Sequence, residues 1–138
     1  MAELSIPGSV GPTTRNDWAH LPSDIRFYLN YFVDNLTHYH YCLNHDYDDF
    51  FHSILPGIAI RNDALLYAVV GFAAYHATLQ NPNGRLQDFL QYYNKSVTIL
   101  LNSLKRKEKA TVATLVTILQ LATIEVSLPY TLPIATLT

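Results

Sequence analysis

The sequence predicts an all-α protein: antiparallel helical hairpins stacked as an α-helical array of about five helices. Two observations point there directly. Asn62 to Lys105 holds two helical patterns back to back, NDALLYAVVGFAAYHATLQ and NGRLQDFLQYYNKSVTILLNSLKRK, split by the breaker Asn81-Pro82-Asn83-Gly84, so the chain is expected to turn there into an antiparallel pair. Flanking segments repeat the three-and-four spacing of apolar residues that marks one helical face. A third observation is indirect: the segment richest in β-branched residues, Thr111 to Val126, would form an isolated strand without a partner, so helix is the consistent assignment despite its composition.

In chain order, residues 1–20 carry Pro7, Gly8, Gly11 and Pro12 without periodicity and are expected to be a flexible lead-in. The helical domain is expected over 21–126. Ser23 is positioned to cap a first helix and Asp24 to place a carboxylate at its positive end. Ile25, Tyr28, Leu29, Phe32, Val33 and Leu36 then form a broad apolar face, with the helix ending between Leu36 and Leu43. Asn44 to Asp49 reads as a loop into a short helix whose buried side is Phe50, Phe51, Ile54 and Leu55, interrupted by Pro56-Gly57.

Asn62 and Asp63 open the next helix. Leu65, Leu66, Ala68, Val69, Phe72, Ala73, Tyr75, His76 and Leu79 leave it apolar nearly all round, the mark of a helix enclosed by others. No charged residue lies between Asp63 and Arg85. Tyr67, Gly71, Tyr75, His76, Thr78 and Gln80 nevertheless break the apolar run before the roughly 18–20 residues a membrane span needs. Leu86, Phe89, Leu90, Tyr93, Val97, Leu100, Leu101 and Leu104 define the face of the following helix, and Val112, Leu115, Val116, Leu119, Ala122 and Val126 that of the last. Residues 127–138, with Pro129 and Pro133, are expected to be an irregular tail.

At 138 residues the chain suits one domain able to bury roughly two thirds of its unfolded surface. Hydrophobic residues make up 49% and charged residues 14%, against about 25% charged in an average protein. Some apolar surface is therefore expected to face a partner or the rest of a longer protein. A net charge of −2 leaves no surplus of cations to displace counterions from phosphates, so no direct DNA contact is expected from this chain. The single cysteine, Cys42, precludes an internal disulfide and any zinc site built on several thiolates, and fits a reducing compartment.

His38, His40, Cys42 and His45 are the most suggestive cluster for a transition metal. On a helix, residues two apart point in nearly opposite directions, so His38 and His40 cannot share an ion, and no metal is expected. Cys42 with a neighbouring histidine has the elements of a thiol nucleophile, but no oxyanion donor or glycine-rich elbow accompanies it, so no catalytic residue is assigned. Asp46, Asp48 and Asp49 alternate like part of a calcium loop without the glycine and glutamate such a loop requires. They suit a helix N-terminus instead. The run Lys105 to Lys109 fits a solvated helix end, with a nuclear import signal as the functional counterpart. Tyr28, Tyr67, Tyr75, Tyr92 and Tyr93 lie on or beside apolar faces, where a phenol supplies area and a polar tip; this suits either plain core packing or a core bordering a pocket.

FYLNYFVDNL, FFHSILPGIAI, the two helices of the central hairpin and TVATLVTILQLATIE, in that order over Ile25 to Glu125, resemble the regulatory domain of fungal-specific transcription factors. The alanine-rich helix ending in a histidine, followed by a helix with a tyrosine pair and a lysine, is the distinctive part. The resemblance implies a non-catalytic nuclear regulator of RNA polymerase II transcription. It also implies protein partners, either transcription machinery or a dimer mate, and leaves room for a small-molecule effector. The cysteine-rich zinc cluster that binds DNA in these factors has no counterpart here, so zinc is not carried over. VSLPYTLPIATLT does not resemble the family's continuing helices, and the domain is expected to be truncated. Two other classes remain: a tetratricopeptide-like interaction scaffold, for which no second repeat is found, and a small-molecule-binding helical domain, which would need polar groups converging in a pocket.

Overall fold

The computed structural model describes residues 15–41, 43, 45–81 and 86–131. Among them all regular structure is helical: α1 (Ser23–Asn35), α2 (Leu55–Ala59), α3 (Asp63–Gln80), α4 (Leu86–Lys105) and α5 (Val112–Thr131), with short 3₁₀ and π-helical turns between. No helix is long and apolar enough to cross a membrane among the described residues.

The centre of the molecule is α3. Its N-terminus is closed by Asn62, whose side-chain oxygen accepts from the Leu65 amide at 3.1 Å, as expected of an asparagine in that position. Residues Ala64–Leu66 and Ala68–Tyr75 are all buried, because α1, α2, α4 and α5 pack around it. Against α4 the partners run in opposite directions. Ser96 donates to the Ala64 carbonyl at 2.6 Å, Tyr67 stacks near Tyr92, and Tyr75 meets Phe89 further up. The pair is thus antiparallel. Gly71 faces α4 directly: a Cβ there would sit 3.4 Å from the Tyr93 amide nitrogen and 3.5 Å from the Tyr92 Cβ, in ordinary contact. Asn81 ends α3 in extended conformation; Pro82, Asn83 and Gly84 of the expected turn lie outside the described residues.

The tyrosines do more than fill space. Tyr92 donates to Asp24 on α1 at 2.6 Å, Tyr93 to Glu125 on α5 at 2.6 Å, and Tyr75 to the Ser127 carbonyl at 3.4 Å. Each ring packs within the helices while its hydroxyl ties to a neighbouring element.

Several expectations need correction. Ser23 does not cap α1: the residue preceding the helix is Pro22, no side-chain cap bond forms, and Ser23 lies inside the first turn. The lead-in 1–20 is not uniformly loose. Arg15–Trp18 makes a 3₁₀ turn, Trp18 is only 2% exposed, and its indole Nε1 donates to Asn30 Oδ1 at 3.2 Å; a lone tryptophan supplies enough apolar area to anchor such a segment. Residues 1–14 lie outside the described part.

Pro56-Gly57 does not interrupt the short helix. The π turn Phe50–Ile54 runs straight into α2, with the proline at the junction, in the first turn of α2. Of its expected buried side, Phe51 and Leu55 are buried while Phe50 and Ile54 are half-buried. Nor does helix end at Val126: α5 continues to Thr131, with Ser127 contacting Tyr75 and Leu128 packed on the core. Residues 132–138 lie outside the described part.

The helix faces also shift. On α4 the buried residues are Phe89, Tyr92 and Ser96, leaving Leu90, Leu101 and Leu104 exposed. On α5 the difference is larger. Thr117, Gln120, Leu121 and Ile124 face inward, whereas Leu115, Leu119 and Val126, expected inside, lie outside. Leucines, isoleucines and valines surround α5, so periodicity does not single out one side. Two of the inward polar atoms find partners: Thr117 donates to its own helix at Ala113 at 2.6 Å, and the Gln120 side-chain oxygen accepts from Tyr41.

Candidate functional site: a cleft between the Phe50–Ile54 turn and α5

Where α5 crosses the Phe50–Ile54 turn, a cleft of about 590 Å³ opens, lined by aromatic and aliphatic side chains from both elements. Its walls follow from local structure. Leu36 leaves the helical conformation after α1, and His38–Tyr41 forms a 3₁₀ turn that delivers Tyr41 onto Phe51, ring centroids 4.3 Å apart. Phe72 of α3 closes on the same tyrosine edge-on at 5.3 Å. Asp46 precedes the π turn and its Oδ1 accepts from the Phe51 amide at 3.0 Å, whereas Asp49, the residue before the turn, makes no side-chain cap bond. Asp48 and Asp49 both adopt positive φ, 55° and 58°, a conformation that aspartate tolerates better than most residues.

The polar anchor of the cleft is Gln120. It is 2% exposed, and its Oε1 accepts from the Tyr41 hydroxyl at 2.6 Å. Burial pushes the Tyr41 hydroxyl well above its ordinary pKa of 10, so it remains a donor at neutral pH. The other end of the amide, Nε2, has no hydrogen-bond partner. Leaving a buried donor unpaired costs roughly 1–3 kcal/mol.

The histidines near Cys42 take separate surroundings. His38 packs at a tilt against Tyr39, ring centroids 4.3 Å apart, and its Nδ1 is buried without a partner. His40 Nδ1 accepts from the Thr37 amide at 3.0 Å, while its ring meets His76 of α3 edge-on at 4.8 Å. His45 lines the cleft, and Cys42 lies outside the described residues. A different trio does converge among the described residues: the ligand atoms of Asp46, Asp49 and His52 lie within 4.8 Å of one another. His52 Nδ1 is 3.1 Å from Asp46 and 3.4 Å from Asp49, contacts that a histidine bridging two carboxylates satisfies without an ion. Spacing alone pointed to neither His52 nor Gln120. A lone amide within an apolar helix is nevertheless a signal, because burying it demands a partner. In the basic run, Arg106 Nε pairs with Glu108 at 3.0 Å, and together with Ser103 it holds the Glu108 carboxyl below its ordinary pKa, the Ser103 hydrogen bond contributing most.

These features define an all-helical domain organised around one enclosed helix, α3, with an apolar cleft at one side. The chain belongs to the family described as the fungal specific transcription factor domain, whose model matches residues 27–128, from α1 into α5. No curated protein and no solved structure matches it.

Proposed function

We propose that the chain acts in the nucleus as the non-catalytic regulatory region of a fungal transcription regulator, with DNA contact supplied by another polypeptide or segment. The observation that carries this reading is the family match, which spans most of the helical body. Supporting it, Leu115, Ile118, Leu119 and Val126 of α5 are 45–61% exposed. This stripe suits a protein partner in the transcription machinery or a dimer mate.

The test is a reporter assay in a fungal cell, with the chain fused to a heterologous DNA-binding domain and imaged through a fluorescent tag. Nuclear accumulation with altered reporter output, abolished at constant expression by Ile118→Glu, which lies on the exposed stripe outside the cleft, is the expected result. A fusion that leaves the reporter at its background level sinks the reading.

A further inference from the structure

We propose that the cleft binds a small, neutral, mainly apolar molecule whose buried oxygen accepts a hydrogen bond from Gln120 Nε2. This stands on the geometry of the cleft and goes beyond the regulatory reading, which the reporter assay tests separately.

Size fits first: about 590 Å³ falls within the roughly 300–1,000 Å³ of sites that enclose small organic ligands. The lining selects for apolar surface, with Tyr41, Phe50 and Phe51 on one side and Val116 and Leu119 on the other. No lysine, arginine or glutamate lines it, and Asp48 and His45 are exposed residues, so nothing inside compensates an ionised ligand. The specific demand comes from Gln120. Its carbonyl oxygen is taken by Tyr41, and its Nε2 is a buried donor without a partner. A leucine-faced helix laid into the cleft would cover the walls yet leave that donor unpaired, whereas a ketone, ester or ether oxygen, met by a small turn of the Gln120 amide at the cleft wall, would satisfy it. An apolar body carrying one or two placed polar atoms is the usual form of a ligand that such a pocket selects.

The experiment uses the whole chain and the solvatochromic ketone 6-propionyl-2-(dimethylamino)naphthalene (Prodan). Titration is expected to give a saturable blue shift. Displacement by 2-acetylnaphthalene should then occur at roughly three- to tenfold lower concentration than by 2-ethylnaphthalene, the value of one neutral hydrogen bond, although the ethyl compound is the more hydrophobic. Gln120→Met is expected to erase that difference and Thr123→Trp, which fills the cleft, to weaken Prodan roughly tenfold. Circular dichroism checks that both variants fold, and the comparison of the two naphthalenes on the unaltered chain decides the matter even where one does not. Equal displacement by the two compounds overturns the proposal. So does Prodan binding indifferent to Thr123→Trp, which would place the dye on the outer face of α5. A Prodan affinity that falls as protein concentration rises would show that a second copy fills the cleft, and would equally overturn it.

Discussion

The Tyr92 hydroxyl donates to the Asp24 carboxylate across 2.6 Å, joining the middle of α4 to the first turn of α1. Burial, followed by the hydrogen bond and charge of Asp24, holds the Tyr92 hydroxyl well above its ordinary pKa, so the donor persists through neutral and mildly alkaline pH. Tyr92→Phe keeps the ring packed near Tyr28, at 5.6 Å, and removes only this bond. A loss of about 1–2 kcal/mol is expected, because hydrogen bonds to charged groups exceed neutral ones while the Asp24 end remains open to water. Urea unfolding with an unchanged m-value measures it.

Gly71 lies where α3 faces the α4 backbone. A methyl group there would just touch the α4 backbone and the Tyr92 Cβ, so Gly71→Ala is expected to leave stability within about 1 kcal/mol, helix propensity offsetting the tight fit. Gly71→Val adds branches with no room and is expected to cost about 1–3 kcal/mol by overpacking. Thermal melts of the two variants side by side separate propensity from space.

His76 predicts an acid-sensitive fold. Burial, with a smaller contribution from the charge of His40, lowers its pKa to about 4, against an unfolded value of about 6.5. Between these pH values the unfolded chain binds a proton that the folded chain refuses. The contribution of His76 to stability should be flat above pH 6.5, fall as pH drops toward 4, and level off below. With the ring partly open to solvent, the loss attributable to this residue is about 1–2 kcal/mol. His76→Phe, which keeps the edge contact with Phe72, is expected to remove that part of the slope in unfolding curves recorded across the range. An unchanged slope would assign the acid sensitivity to other groups.

The orientation of α5 can be checked by substitution on its two sides. Ile124 is fully enclosed, so Ile124→Ala is expected to cost about 2–5 kcal/mol through transfer and cavity terms. Leu119→Ser, at a residue 57% exposed, is expected to change stability by less than about 0.5 kcal/mol. Equal losses would mean that the inward face has been misassigned.

These contrasts mark where the sequence was legible. The α3 helix could be placed from local chemistry alone, since Asn62 caps it and an uncharged stretch from Ala64 onward has to be surrounded. Tyr75 and Tyr93 were visible as aromatic residues on helical faces, but the partners of their hydroxyls were not. The inner side of α5 was not legible, because Leu115 and Leu121 are equally apolar and only the arrival of Tyr41 at Gln120, 79 residues away in sequence, favours one rotation over the other. The cleft escaped notice for the same reason: Phe51 and Gln120 belong to distant segments, and neither alone suggests a cavity. Trp18 lay in a stretch without periodicity, where a single large side chain leaves no repeating pattern.

The enclosure of α3 also ranks the motions open to the molecule. Its amides can exchange with solvent deuterium only after at least one surrounding helix has moved aside, so they should be the slowest in the chain and report its global stability. By contrast, α5 rests mainly on α3, with only slight contact to α4, and already shows much of its outer surface to water. It is the layer able to lift away first, and whatever occupies the cleft beneath it would bind that layer down and slow exchange along its whole length.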